Sequence, residues 1–383
     1  MRLRKLYSTI LLTLSISFIP FSVFASLLNE YNSDDNKIYS ITGSGLKEHS
    51  GIFYENIHLN SVDLNGVKQT YNIALPPTKL GSGTSIKGVR NGYLYYAISN
   101  TTGGPLSADG GSSKTTYKVY KEKLNGGNKE YLGDNIILDK DGYYVQDKTA
   151  LYKKDFNGKI IKKLPPLTCN QSFLMATDDY MYVIEDNSYG YMGMSAKPIL
   201  MRINLKNNSI YTITSLGDSE RANFDYSINE NGYLFYILGK SIYGFNKPID
   251  ELSVDEQPIQ LKKDIFQKSK DKYESNLFAY GYLQCTDKYI YYTVTPTFYD
   301  INHQTFPWDY INYTPGEIRR MDIDGKNDIN ILTTKDKFGS KGGLNAFSLY
   351  KATNDYIIYS DYSGEGLSVY YPKTKKTVAI GRP

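Results

Sequence analysis

The chain has 383 residues, with 44 Lys and Arg against 40 Asp and Glu, a formal net charge of +4. No run of clustered basic residues interleaves with aromatics as a nucleic-acid groove requires, so nucleic acid is excluded as the expected partner. Two cysteines in a chain of this length cannot form the disulfide framework of a small secreted domain, so stability has to come from buried apolar area.

In chain order, the first element is residues 1–25, where the basic start MRLRK leads into a mostly apolar stretch and ends in small residues at VFA. This is the pattern of a secretory signal peptide, with cleavage expected before Ser26. The run is interrupted by Pro20 and by Ser and Thr, and it is short for a membrane span, so no stable span is expected after cleavage. No cysteine follows it that could carry a lipid. Removing Arg2, Arg4 and Lys5 leaves 41 basic against 40 acidic groups, so much of the basic character belongs to the leader. The expected localisation is secreted, either extracellular or in the cell envelope.

Residues 26–383 repeat one pattern seven times: a turn former, a Tyr or its equivalent, then an alternating apolar and aromatic run. The copies are DNKIYSIT (35–42), NGYLYYAI (91–98), DGYYVQD (141–147), DDYMYVIE (178–185), NGYLFYIL (231–238), DKYIYYTV (287–294) and NDYIIYSD (354–361). Asn, Asp and Gly lead because tight hairpins need residues that tolerate positive φ. After each copy comes a second hairpin, such as VYKEKLNGGNKEYLG, LYKKDFNGKIIKKL or IRRMDIDGKNDINIL, and apolar first strands such as SFLMAT (172–177) and FAYGYLQCT (278–286) precede several copies.

The DIDG of the sixth copy could open a calcium loop. Its sisters argue otherwise: Asp322, Ile323, Asp324 and Gly325 align with Asp63, Leu64, Asn65, Gly66 and with Asp155, Phe156, Asn157, Gly158, and no Glu closes the loop. A hairpin turn is expected there, and no metal.

Seven repeats of about 51 residues, each reading as four strands, predict an all-β chain: one β-propeller domain over 26–383 with seven four-stranded blades. The third blade (136–167) is cut nearly to bare hairpins, and helical periodicity is confined to 254–275, which contains Pro258 and reads as an insert between blades. Cys285 is expected as a small core residue in the column of Val89, Ala176 and Ala352, not bonded to Cys169.

The tyrosine-rich DKYIYYT followed by IRRMDIDGKN resembles the bacterial relatives of the YWTD propeller of the low-density lipoprotein receptor, and more distantly the propeller of the Tol translocation protein. The resemblance covers nearly the whole mature chain, although no copy carries a full YWTD. It implies the propeller fold and a binding scaffold, in a family of largely unassigned function.

Connections within the hairpins are short, except in the fifth blade, and leave from one end of the blades. Long loops gather at the other end: 43–51, 100–114, 186–198 and 295–317. Long loops on a rigid scaffold are where binding concentrates. Loop 295–317 holds Phe298, Tyr299, His303, Phe306, Trp308, Asp309, Tyr310 and Tyr313, and loop 186–198 holds Tyr189 and Tyr191. Flat rings beside carboxylates suit stacking on a sugar or anchoring a protein. The same rings equally suit a small core that orders the loop itself.

Three histidines, His49, His58 and His303, stand in no metal spacing. Asp300, Asp309, Glu317, Asp361 and Glu365 could furnish the two facing carboxylates of a glycosidase, but no motif selects a pair. SADGG (107–111) reads as a flexible loop. The expected function is therefore a monomeric, noncatalytic module that binds a glycan or protein of the envelope or exterior, without a cofactor. Two alternatives stand beside it: a carbohydrate-active enzyme, hydrolase or lyase, on the same face, and a structural envelope protein.

Overall fold

In the computed structural model each repeat centres on a strand with both faces buried. Along Leu234–Leu238 every residue is buried. Leu234, Tyr236 and Leu238 pack against Tyr182 and Ile184 of the preceding sheet, while Phe235 and Ile237 pack against Leu283, Ile290 and Tyr292 of the following one. A strand enclosed on two sides has no polar face to alternate, which is why these segments read as continuous apolar and aromatic runs. Each fully buried side chain of this size contributes about 1.5–3 kcal/mol.

The structure describes residues 37–44, 52–54, 56–73, 75–76, 78–79, 82–102, 114–168, 170–186, 197–218, 224–263, 265, 274–275, 282–294, 298–300, 310–312, 316–334, 347–361 and 367–381. These fall into two units, one ending at Lys163 and the other beginning at Leu164. In the first unit, Lys37–Ser44, Asn56–Asp63 and Lys68–Tyr71 make a three-stranded antiparallel sheet. A second sheet runs Ser82–Arg90, Tyr93–Thr102, Lys114–Lys123, Glu130–Gly133, and Ile52–Tyr54 and Thr78–Lys79 extend it. A third runs from Ile136–Leu138 to Ile160–Leu164.

Four further four-stranded meanders make up the second unit, beginning at Gln171–Ala176, Phe224–Ile228, Leu283–Cys285 and Phe347–Ala352. The seven meanders define the fold class: all-β, a seven-bladed β-propeller. The helix-like segment 254–275 divides otherwise than its sequence suggests. Ile259–Lys262 is the fourth strand of the fifth blade, with Gln260 opposite Tyr243, and Glu274–Ser275 belongs to a small separate sheet. Helix among the described residues is limited to a single 3-10 turn, Ile249–Glu251.

Tyrosine is the favoured residue of the second strands because its ring fills the space between blades while its hydroxyl crosses to the neighbour. Tyr182 donates to the Asp250 carbonyl at 3.5 Å, Tyr236 to the Leu216 carbonyl at 3.0 Å and Tyr291 to the Thr353 carbonyl at 3.4 Å. A cation recurs on the third strand directly opposite: Lys121 faces Tyr95, Lys153 faces Tyr144, Arg202 faces Tyr182 and Arg320 faces Tyr291. Each lies over a tyrosine ring of its own blade, Arg320 at 4.2 Å from the Tyr289 centroid and Arg202 at 4.9 Å from that of Tyr180.

The turns are closed by their own residues. In two copies the leading carboxylate accepts from the amides two and four residues on: Asp63 Oδ1 from Asn65 (2.8 Å) and Val67 (2.9 Å), Asp155 Oδ1 from Asn157 and Lys159 (both 2.9 Å). Gly66, Gly158 and Gly325 take φ of 86°, 86° and 82°, which only glycine adopts without strain. In the sixth copy Asp322 Oδ2 accepts from the Asn327 side-chain Nδ2 at 2.6 Å, and Asp324 pairs with the Lys326 ammonium at 2.7 Å. With both carboxylates engaged locally, millimolar calcium is expected to leave the melting temperature unchanged. A calcium-dependent rise that disappears in Asp324→Asn would show the turn to be a metal loop.

Candidate functional site

Strands alternate in direction within every sheet, so the second-to-third connection and the exit of the fourth strand leave from the same end. The sixth blade places its aromatic insertion there, between Tyr289–Val294 and Glu317–Asp322. The insertion is built as a hairpin. Phe298–Asp300 pairs antiparallel with Tyr310–Asn312, with Tyr299 opposite Ile311 and Asp300 opposite Tyr310. Glu274–Ser275 adds a third strand, with Glu274 opposite Tyr299. A segment 24 residues upstream in the chain thus clamps the base of the hairpin, whose nine connecting residues, 301–309, include His303, Phe306, Trp308 and Asp309.

Of the expected contact residues, the structure brings Tyr299 and Tyr310 into this small sheet by their backbones. His303, Phe306, Trp308, Asp309, Tyr313, Tyr189 and Tyr191 lie outside the described residues, as do His49, Glu365, the SADGG loop and Cys169. His58 is exposed in the first sheet opposite Thr42. Glu317 is committed to an ion pair, its Oε2 accepting from Arg319 at 2.8 Å. Among the described residues no three His, Cys, Asp or Glu come close enough to hold a metal ion, and no helix is long and apolar enough to cross a membrane.

A polar ladder that the sequence reading passed over joins the fifth and sixth blades. On Phe224–Ile228 and just beyond it, alternate side chains reach the next blade's inner strand. Asp225 Oδ2 accepts from the Leu283 amide at 2.9 Å, Ser227 Oγ accepts from the Cys285 amide at 3.1 Å, and Asn229 donates to the Thr286 carbonyl at 3.2 Å. The intervening residues Phe224, Tyr226 and Ile228 pack toward the fourth blade. The signal was present in FDYSIN as a period-two alternation of polar and apolar residues. The inner-strand edge of the sixth blade therefore finds partners in side chains, where no backbone strand is available.

Asp225 begins this ladder at the long-loop end of its strand, and its Oδ1 also accepts from the Tyr226 amide at 3.0 Å. Burial pushes its carboxyl up to about 6, against the two amide hydrogen bonds, which pull it down. Cys285 is half-buried, less enclosed than its column predicted, because it too belongs to the ladder. Its thiol is free and donates to Ser227 Oγ at 3.1 Å, and burial raises it to about 12. Such a thiol is an unreactive packing group.

On the outer side of the same blades, Asp328 gathers three donors: Lys262 at 2.6 Å, Tyr292 at 2.8 Å and Arg319 at 3.0 Å. Lys262 comes from the fourth strand of the fifth blade, and the other two from the sixth. The network holds rigid the two strands from which the aromatic hairpin springs.

No family model matches the sequence, and no curated protein matches it. Solved structures similar to the chain include the tricorn protease (11% identity, TM-score 0.45), where the likeness covers 92% of this chain and 36% of the protease. Others are an ulvan lyase from a new family of polysaccharide lyases (12%, TM-score 0.43, 91% and 92% covered) and the oligogalacturonate lyase of Vibrio parahaemolyticus (10%, TM-score 0.37, 76% and 75% covered). At these identities and TM-scores the likenesses carry no inference about ligand or reaction.

Proposed function

We propose that the chain is a secreted, noncatalytic binding module whose sixth blade presents the aromatic hairpin 295–317 to a glycan or protein of the cell exterior or envelope. The observation that carries this reading is the clamped base of the hairpin: three paired strands set on a blade whose neighbouring strands are tied by the Asp328 network. Paired strands at the base of the insertion give it an ordered stem, and tryptophan and tyrosine bring large contact area at small entropic cost. Kinship with the YWTD-like propellers, proposed from the tyrosine-rich strands and the DIDG hairpin, fits the same role.

The test is a binding screen of residues 26–383 against glycans and envelope proteins, followed by Trp308→Ala on the best ligand. The substitution is expected to cost about 2 kcal/mol, roughly thirtyfold in affinity, with an unchanged melting curve. Unchanged affinity would move the site toward Tyr189 and Tyr191. A lowered melting temperature would make Trp308 part of the loop's own core, and turnover of a glycan in the screen would overturn the noncatalytic reading.

A further inference from the structure

The second blade carries a row of tyrosines across its second, third and fourth strands. Tyr96 on the second strand lies directly opposite Tyr120 on the third, which lies opposite Tyr131 on the fourth. The register alone therefore lines up three rings, with centroids 5.8 Å and then 5.6 Å apart. The row runs from the core outward: Tyr96 is fully buried and Tyr131 is 52% exposed. Glu122, two residues beyond Tyr120 and on the same face of the strand, is buried, and its Oε2 accepts from the Tyr96 hydroxyl at 3.2 Å. Tyr96 thus lies between the Tyr120 ring and the Glu122 carboxylate.

The space beside them is occupied by the protein itself. The Lys129 ammonium sits 3.8 Å from the Tyr120 ring centroid and 5.2 Å from that of Tyr96. Lys129 is carried on the short connection that follows Gly126 and Gly127, both at positive φ (85° and 150°), and its side is open to solvent. Burial against the rings lowers its pKa, and Glu122 opposes that shift. Ring faces attract a cation without accepting its N–H groups in directed bonds. A cation with methyl groups in place of those hydrogens keeps the attraction, and its weaker hydration makes it cheaper to bring in.

We propose that Tyr96, Tyr120, Tyr131 and Glu122 form an aromatic cage for a quaternary ammonium group, with Lys129 as an internal occupant that the ligand displaces. The site shares no residue with the hairpin at 295–317 and would give the module a second ligand of defined chemistry. Glu122 supplies the charge that distinguishes a cation from a neutral group of the same shape, and Tyr131 forms the entrance.

Calorimetric titration with tetramethylammonium, choline and Nε-trimethyl-lysine, comparing wild type with Lys129→Ala, tests the cage. The variant is expected to bind the better of these cations about tenfold more tightly than wild type, since the internal competitor is gone. The neutral isostere 3,3-dimethylbutan-1-ol is expected to bind at least about tenfold more weakly than choline. Tyr120→Leu in the Lys129→Ala background should abolish binding while the far-ultraviolet circular dichroism stays unchanged. Preference for choline or for trimethyl-lysine tells a free ligand from a modified protein side chain. If Lys129→Ala and the longer, uncharged Lys129→Gln both bind these cations no better than wild type, or if the neutral isostere binds as well as choline, Lys129 is a structural plug and the cage proposal is wrong.

Discussion

Asp328→Ala is expected to lower the free energy of unfolding by about 3 kcal/mol, because it leaves two cations and a tyrosine hydroxyl without their shared acceptor. The carboxylate is 16% exposed, and its partners Lys262 and Arg319 are 34% and 23% exposed, so solvent screens the cluster only in part. Removing the acceptor costs more than the pair itself contributes, since the donors remain in place. Urea unfolding of the wild type, Asp328→Ala and Asp328→Asn measures this, with the midpoint expected to fall at constant slope. A loss below about 1 kcal/mol would mean that water replaces the carboxylate and that the network is a surface arrangement.

The same carboxylate gives the network a direction in pH. Burial raises its pKa, but the hydrogen bonds from Arg319, Lys262 and Tyr292 outweigh burial and hold the carboxyl below its ordinary value. A folded pKa below the unfolded one means that the contribution is present above the unfolded value and is lost as pH falls through the folded one. Protonation of Asp328 therefore contributes to acid unfolding.

Asp225 is expected to act in the opposite sense. Its folded carboxyl titrates at about 6, above the ordinary 3.8, so the folded chain holds that proton more firmly than the unfolded chain does. Its contribution is present below about pH 4 and is lost as pH rises from there through about 6, by up to about 3 kcal/mol. Part of the residue reaches solvent, which makes that figure the upper end. Melting temperatures of wild type and Asp225→Asn between pH 4 and 7 isolate the effect, since asparagine can still accept from Leu283 but cannot ionise. The wild type should lose stability relative to the variant across that window. Parallel curves would show that the Asp225 carboxylate is solvated well enough to titrate normally.

Much of the fold was legible because it is closed over short stretches of chain. The Asp63 and Asp155 turns are completed by amides at most four residues away, so an aligned Asp, Asn and Gly suffices to identify them. The column of Val89, Ala176, Cys285 and Ala352 was legible for a related reason: each lies opposite the residue one past a repeat's leading tyrosine, at Leu94, Met181, Ile290 and Ile357. Segment 254–275 reads in sequence as an insert between blades, whereas pairing with Ser241–Gly244 makes Ile259–Lys262 a strand of the fifth blade itself. Local propensity yielded to an available sheet edge.

For the candidate site the division is sharper. The sequence by itself determined the seven-fold repeat, the closure of the hairpin turns and the concentration of aromatic residues in 295–317, since all of these are patterns of side-chain type at fixed spacing. Only the tertiary structure decided that Glu274–Ser275 clamps that insertion, that Asp225 spans 58 residues to the Leu283 amide, and that Lys262 reaches 66 residues to Asp328. It also decided that Lys129 lies against Tyr120 and Tyr96. The reason is physical: a turn satisfies its polar groups from its own neighbourhood, whereas a buried carboxylate or ammonium takes whichever partner packing brings to it, and the sequence spacing of that partner carries no signal.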